Sequence, residues 1–405
     1  MPEIIVGCAL SDANRADLPH GLRVPEHLLE FAERYEARVG SPALSFQLQP
    51  EELWTIPANF PDQFVPRKTN RWWHAVQAQP RLLPVLTGPP ARIGVHQPLG
   101  HRDALSSNFF TKYEAIEETK QAMDYAQYIG ADYFVFHLAQ VDKWGWDRRD
   151  QMEKALKIFN VFAAYYTAQG MMFVPVIETL EYPKFPATGG EAFDLLIECR
   201  KALPDTQLAF DVTHLWSSRQ RMIACGQWPD ARVSFEASLD YALSALENDI
   251  YVYHLGGGWE SETHAVPGLH PQEDPFRFPL KLRESHGVYV ESGEIDLNYA
   301  LEQIIAHTTR RGHDLHLVLQ IQNRDIDQVL EAARLIRNDL VQRANQPVEA
   351  APASAVRKSA TVRKGAASRK NATASKRSAA ARKRTTAASK RTATTKKNGR
   401  TSAKK

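Results

Sequence analysis

Eight short apolar runs, rich in β-branched and aromatic residues, recur along the first 345 residues, and longer segments with helical periodicity separate them. The runs are Ile4–Cys8, Ala43–Leu48, Arg92–His96, Tyr133–His137, Met172–Ile177, Leu208–Asp211, Ile250–His254 and Leu315–Ile321. Helical segments fall at Glu26–Val39, Glu114–Tyr128, Arg149–Gln169, Glu191–Ala202, Glu236–Glu247, Asn298–Arg311 and Asp325–Arg343. Neighbouring parallel strands can be joined only by a crossover, so strands alternating with helices predict a parallel sheet. Eight such units predict a closed (β/α)8 TIM barrel over residues 1–345. An open doubly wound sheet is the alternative. No glycine-rich phosphate-binding turn follows any of the runs, which counts against its dinucleotide-binding form. Two long irregular excursions, 49–91 and 255–296, follow the second and seventh strands and are expected to shape a substrate site.

Polar residues collect at the ends of these strands. The third ends in His96 and the fourth in His137. The fifth runs into Glu178, the sixth ends in Asp211 with His214 three residues on, and the seventh ends in His254. The eighth carries Gln320. In a parallel barrel all these ends share one rim, where barrel enzymes keep their chemistry. A single such residue reads as a satisfied core histidine or a helix cap. Together, five consecutive strand ends carrying His, His, Glu, Asp and His read as a divalent-metal site of nitrogen and oxygen ligands, since unpartnered polar groups would be costly to bury there.

On Glu178, the Asp211-x-x-His214 pair and His254, residues 1–345 resemble the superfamily of barrels that includes xylose isomerase, sugar epimerases and the endonuclease IV type of abasic-site nuclease (AP endonuclease family 2). The epimerase branch implies one Mn or Mg ion held by Glu178, Asp211, His254 and a strand-eight Glu. The nuclease branch implies up to three zinc ions. His96, His137 and Glu178 would hold the first, and Asp211 and His254, with Gln320 as a weak addition, the second. His214 and an Asp-x-His pair after strand seven would hold the third. Here the pair reads Glu262-x-His264, or else Glu284-x-His286, with Glu in place of the expected Asp. Gln320 stands where both branches carry Glu, so it offers a carbonyl oxygen but neither charge nor proton uptake. An isomerase of this type uses two bases, and Gln320 removes one, whereas a hydrolytic site loses only a ligand charge. Glu178 and Gln320 are therefore the candidate catalytic positions. The expectation is a phosphodiester hydrolase acting on abasic or damaged DNA. The alternatives are a single-metal sugar or sugar-phosphate isomerase or epimerase, and a non-catalytic nucleoid-associated protein.

Composition divides the chain in two. Residues 351–405 carry 18 Lys or Arg and no Asp or Glu, which leaves 32 basic against 47 acidic residues in the rest. Residues 346–405 are almost wholly Ala, Thr, Ser, Lys and Arg, with too little apolar surface to fold alone. Basic clusters recur at Arg357-Lys358, Arg363-Lys364, Arg369-Lys370, Lys376-Arg377 and Arg382-Lys383-Arg384, and continue at Lys390-Arg391 and Lys396-Lys397. The segment resembles the C-terminal tails of linker histones and bacterial histone-like proteins. It is expected to be a disordered polycation binding DNA without sequence readout and with steep salt dependence. A tail folded onto the acidic body is the competing expectation. Rim residues Lys143, Arg148, Arg149, Lys184, Arg219 and Arg221 are candidate phosphate contacts, and Trp144, Trp146 and Trp216 candidate wedges or stacking platforms.

No run of about 18 apolar residues spans a membrane, and the N-terminus lacks the pattern of a secretory signal. Cys8, Cys199 and Cys225 form no CxxC pair and no disulfide framework. A reducing cytoplasmic, nucleoid-associated setting is the expectation that follows.

Overall fold

The computed structural model describes residues 3–10, 25–48, 54–55, 65–66, 91–98, 109–138, 147–182, 184–224, 235–256, 259–263, 280–284, 297–320 and 326–345. All of them lie in one compact unit, Met1–Pro347; the second unit, Val348–Lys405, falls outside the described residues.

Eight strands close into a parallel barrel. They are β1 (Ile4–Leu10), β2 (Leu44–Leu48), β5 (Ala91–His96), β6 (Tyr133–Phe136), β7 (Val174–Glu178), β8 (Gln207–Asp211), β9 (Ile250–Gly256) and β12 (Leu315–Gln320). Each pairs with its neighbour in chain order, and β12 returns to β1 through Ile4↔Leu315 to Cys8↔Leu319. The helices are α1 (Pro25–Val39), α2 (Phe109–Ile129), α3 (Arg148–Gln169), α4 (Gly189–Cys199), α5 (Val212–Ala224), α6 (Phe235–Ala245), α7 (Leu297–Arg311) and α8 (Ile326–Asn345). The excursions contribute a two-residue ladder, β3 (Trp54–Thr55) with β4 (Val65–Pro66), and a hairpin, β10 (Trp259–Thr263) with β11 (Leu280–Glu284).

Barrel strands are buried on both faces, so they read as continuous apolar runs rather than as alternating ones. One set of side chains meets the helices: Phe134 and Phe136 on β6 pack with Phe159, Phe162 and Phe173. Each such ring is worth about 1.5–3 kcal/mol of burial. The alternate residues form a smaller interior cluster of Ala9, Tyr133, Val135, Val176, Ala209, Val252 and Val318. Continuing that period of two toward the strand ends reaches His137 from Val135, Glu178 from Val176, Asp211 from Ala209, His254 from Val252 and Gln320 from Val318. The barrel is therefore polar at one end, and the buried Ser45, Gln47 and His316 carry polar groups further into its interior.

The sequence reading needs four corrections of detail. Met172 is not in a strand: it is 83% exposed, and its N–H donates to Gln127 Oε1 at 2.9 Å. His137 lies one residue past β6 because its N–H goes to Gln97 Oε1 at 3.0 Å instead of a ladder partner. Helix α5 was not anticipated, since buried Ser217 and Ser218 interrupt its apolar stripe. Trp216, expected as a wedge on DNA, is 1% exposed and part of the core.

Candidate metal centre

The centre grows from three adjacent strands. Glu178 closes β7, Asp211 closes β8, and His254 on β9 is the direct Cα partner of Asp211. In-register neighbours of a sheet point the same way, so Asp211 and His254 share one layer, and Glu178, whose Cα partner is Ala209, enters the barrel from the adjacent strand two residues lower in register. Glu178 and Asp211 are each 1% exposed and His254 is fully buried.

Glu178 lies between two histidines. Its Oε2 is 2.8 Å from His96 Nε2 and its Oε1 is 2.9 Å from His254 Nδ1. The other nitrogen of each ring faces an acceptor: His96 Nδ1 is 2.6 Å from the Gln97 carbonyl oxygen, and His254 Nε2 is 2.9 Å from Gln47 Oε1. A neutral imidazole has one proton, which those acceptors claim. The nitrogen turned to Glu178 then offers a lone pair to an oxygen that also offers lone pairs. A cation beside each contact resolves the conflict, either a second proton or a metal ion. The nitrogen, carboxylate and amide donors present therefore fit a divalent ion. Gln320 Nε2 lies 2.7 Å from the same His254 Nδ1, and the amide turned end for end brings its oxygen there as a ligand.

The charges agree with this reading. Burial pushes the Glu178 carboxyl up, and with His254 and His96 carrying a second proton their hydrogen bonds and charge hold it well below the usual range. Asp211 is raised, by burial and by the neighbouring Glu178 charge. Two buried carboxylates with oxygens within 4.8 Å repel, and a cation between them would remove that cost.

Glu178, Asp211 and His214 bring ligand-type atoms within 4.8 Å of one another. His214 is nevertheless not a ligand through Nδ1, because that nitrogen donates to the Thr179 carbonyl at 2.9 Å. Its Nε2 keeps the lone pair of a neutral ring. The His214 backbone N–H donates to Asp211 Oδ1 at 2.7 Å, so Asp211 also opens α5. His137 stacks obliquely near His96 with ring centroids 5.9 Å apart. Burial, then the Lys184 charge, holds His137 well below the ordinary histidine value.

Every strand-end residue singled out in the sequence except the post-strand-seven pair thus reaches this one cluster: His96, His137, Glu178, Asp211, His214, His254 and Gln320. Glu262 sits in β10 opposite Lys281 and Glu284 in β11 opposite Trp259, while His264 and His286 lie outside the described residues. So do Lys143, Trp144, Trp146 and the whole basic set from Arg357 to Arg384. Arg148 proves to be internal hardware. Its guanidinium pairs with both Glu191 oxygens at 2.7 Å, donates to the Lys184 carbonyl and lies over the Tyr182 and Phe185 rings. Lys184, on the segment that Arg148 holds, pairs with Glu181 at 3.1 Å.

Sequence reasoning missed three residues that support the centre. Gln47 accepts from His254, Gln97 holds the backbone of His137, and Thr179 Oγ1 accepts from the Asp211 N–H at 2.8 Å. A Gln two residues after Ser45 within an apolar strand was the available signal for the first.

A family model described as a xylose isomerase-like TIM barrel matches residues 87–337. No curated protein matches the sequence. Among solved structures, a D-tagatose 3-epimerase-like protein is 12% identical, with 84% of this chain and 98% of that one covered and a TM-score of 0.49. The D-allulose 3-epimerase from Methylomonas sp., in complex with D-allulose, is 13% identical over 84% and 98%, with a TM-score of 0.48. The IOLI protein with a binding zinc atom is 12% identical over 84% and 98%, with a TM-score of 0.45. Likeness at this level carries no argument about activity.

Proposed function

The chain belongs to the xylose isomerase-like TIM-barrel family, and from that premise we propose that it is a metal-dependent isomerase or epimerase of polyhydroxylated carbonyl compounds. The observation that carries this reading is the meeting of Glu178 Oε1 and Gln320 on a single nitrogen, His254 Nδ1, at 2.9 and 2.7 Å. With Asp211, whose carboxylate oxygen lies within 4.8 Å of that of Glu178, these groups would form a one-ion site of mixed nitrogen and oxygen donors. A divalent ion bound there supplies a Lewis acid that polarises a carbonyl or hydroxyl oxygen.

The chain's own residues then divide the remaining work. Asp211, whose Oδ1 accepts from the His214 N–H and whose own N–H donates to Thr179 Oγ1, is fixed as a ligand rather than a mobile base. Gln320 neither takes nor gives a proton, so the carboxylate base that a two-base mechanism needs at strand eight must be replaced. His214 is the replacement: Thr179 holds its Nδ1–H, and Nε2 is left with a lone pair to accept a proton from carbon beside the carbonyl.

The test is deuterium wash-in. Metal-loaded protein is incubated with a panel of ketoses, aldoses and their phosphates in D2O, and exchange at the carbon beside the carbonyl is followed by NMR. Exchange lost in His214→Ala and in Glu178→Gln supports the reading; no exchange with any member overturns it.

A second reading, the phosphodiester hydrolase acting on abasic DNA, is favoured by one observation. His96 Nε2 faces the other Glu178 oxygen at 2.8 Å, with His137 beside it, as a second bridged cation would require. On that reading the basic tail is a non-specific tether to DNA. Incision of an abasic-site duplex without sugar exchange would select it.

A further inference from the structure

The floor beneath the candidate metal centre is polar. From β2, Ser45 and Gln47 both enter the barrel, and both are fully buried. Ser45 Oγ bonds His316 Nε2 at 2.8 Å. Gln47 Oε1 takes the His254 Nε2–H at 2.9 Å and the Tyr133 hydroxyl proton at 3.3 Å. The flanking strands make room for this layer. A Cβ on Gly7 of β1 would stand 2.2 Å from Ser45 Oγ, and one on Gly94 of β5 would stand 2.2 Å from the Tyr133 ring. Gln47 Nε2 has no hydrogen-bond partner among the described residues. An amide buried with one end unsatisfied is costly, so its orientation needs a reason.

We infer that Gln47 is a positioning residue for the metal centre: its carbonyl oxygen, held in place by the Tyr133 hydroxyl, fixes His254 as the Nε2–H tautomer and so delivers an Nδ1 lone pair to Glu178 and the ion beside it. The alternative orientation shows what is at stake. With the amide nitrogen toward the ring, His254 Nε2 becomes an acceptor and Nδ1 carries the proton. Nδ1–H then donates to Glu178 Oε1, and the pair satisfies itself without any cation. The amide therefore decides whether His254 binds a metal or blocks it. Burial keeps the Tyr133 hydroxyl protonated, well above the ordinary tyrosine value, and its donation to the Gln47 carbonyl oxygen favours this orientation of the amide. Groups that take the outer N–H of a ligand histidine fix its tautomer and raise its basicity, and their loss costs about 10–100-fold in metal affinity. The inference rests on the metal-dependent reading above.

The experiment uses full-length protein and two readouts. One is the Zn2+ dissociation constant by competition with a chelating dye. The other is the 15N shift pattern of His254 in the metal-free protein at alkaline pH, which reports the tautomer. Gln47→Leu is expected to weaken Zn2+ binding about 10–100-fold and to turn the His254 pattern from Nε2–H toward a mixture. Gln47→Glu, which keeps an acceptor, restores both. Tyr133→Phe leaves Gln47 free to turn and gives an intermediate loss, which covers the case of Gln47→Leu failing to fold. Gln47→Leu with unchanged affinity and unchanged tautomer would overturn the inference. If the wild type itself binds no Zn2+, the metal-dependent reading falls, and the tautomer comparison alone decides the role of Gln47.

Discussion

The His214 backbone N–H donates to Asp211 Oδ1 at 2.7 Å, so the carboxylate that ends β8 also starts α5. One side chain serves as a candidate ligand and as a helix cap. Asp211→Ala is expected to lose metal affinity and to cost about 1 kcal/mol of stability even without metal, the usual value of an N-cap. Asp211→Asn, which still accepts the N–H, recovers most of the second loss and little of the first. Urea melts of both variants with and without chelator separate the two effects.

Metal removal has a stability signature of its own. An ion that binds only the folded state adds about 2.7 kcal/mol at a hundred times its dissociation constant. The wild-type urea midpoint should fall when chelator is added, and that of Glu178→Ala should not move. Equal chelator sensitivity in both would place the ion elsewhere.

His316 makes stability depend on pH. Burial, then the charges of Arg92 and His254, lowers its pKa to about 3. The folded state keeps the ring neutral while the unfolded chain protonates it near the ordinary value of about 6.5. The unfolded state therefore binds more protons in that window. Its contribution to stability is complete above about pH 6.5 and is lost as pH falls toward 3, by up to about 1.4 kcal/mol per unit. His316→Gln should flatten the acid limb of a stability–pH profile measured by denaturant titration.

Gly94 is a steric prediction. A methyl group there would stand 2.2 Å from the Tyr133 ring, with Tyr133 fully buried and unable to retreat. Gly94→Ala should cost about 1–3 kcal/mol, the range for overpacking a closed interior, and a urea melt measures it. Gly190→Ala, which meets only Tyr241 Oη at 4.0 Å, is the control and should shift the melt far less.

The tail carries a separable prediction. Deleting residues 346–405 should abolish salt-sensitive, sequence-independent duplex binding and leave metal content unchanged. Fluorescence anisotropy over a salt series checks it, since each phosphate neutralised contributes about −0.9 to the log–log slope. A slope near zero in the full-length chain would discard the tether.

Much of the barrel was legible because buried parallel strands announce themselves as apolar runs, and because the ligand-type residues at their ends share a period of two with the interior cluster. What escaped was set by tertiary contacts. Gln47 and His316 sit inside apolar runs and look like strand residues with a polar blemish; only closure of the barrel brings them to His254 and Ser45. Arg148 resembles a phosphate contact in sequence because its partner Glu191 lies 43 residues away. Helix α5 was invisible because Ser217 and Ser218 are buried through hydrogen bonds to Glu181 and the Leu180 carbonyl, not through apolar matching.

The seam between β1 and β12 joins residues more than 300 positions apart, as in the Glu3 N–H bond to Asp314 Oδ1. Closing so long a loop carries the largest entropic cost of any strand pair, whereas β7, β8 and β9 find their partners nearby in the chain. Folding should therefore gather Glu178, Asp211 and His254 early and add Gln320 last, when the final strand docks. Pulsed hydrogen exchange during refolding should then protect β7, β8 and β9 before β1 and β12, and Gln320 is the member of the centre that arrives last.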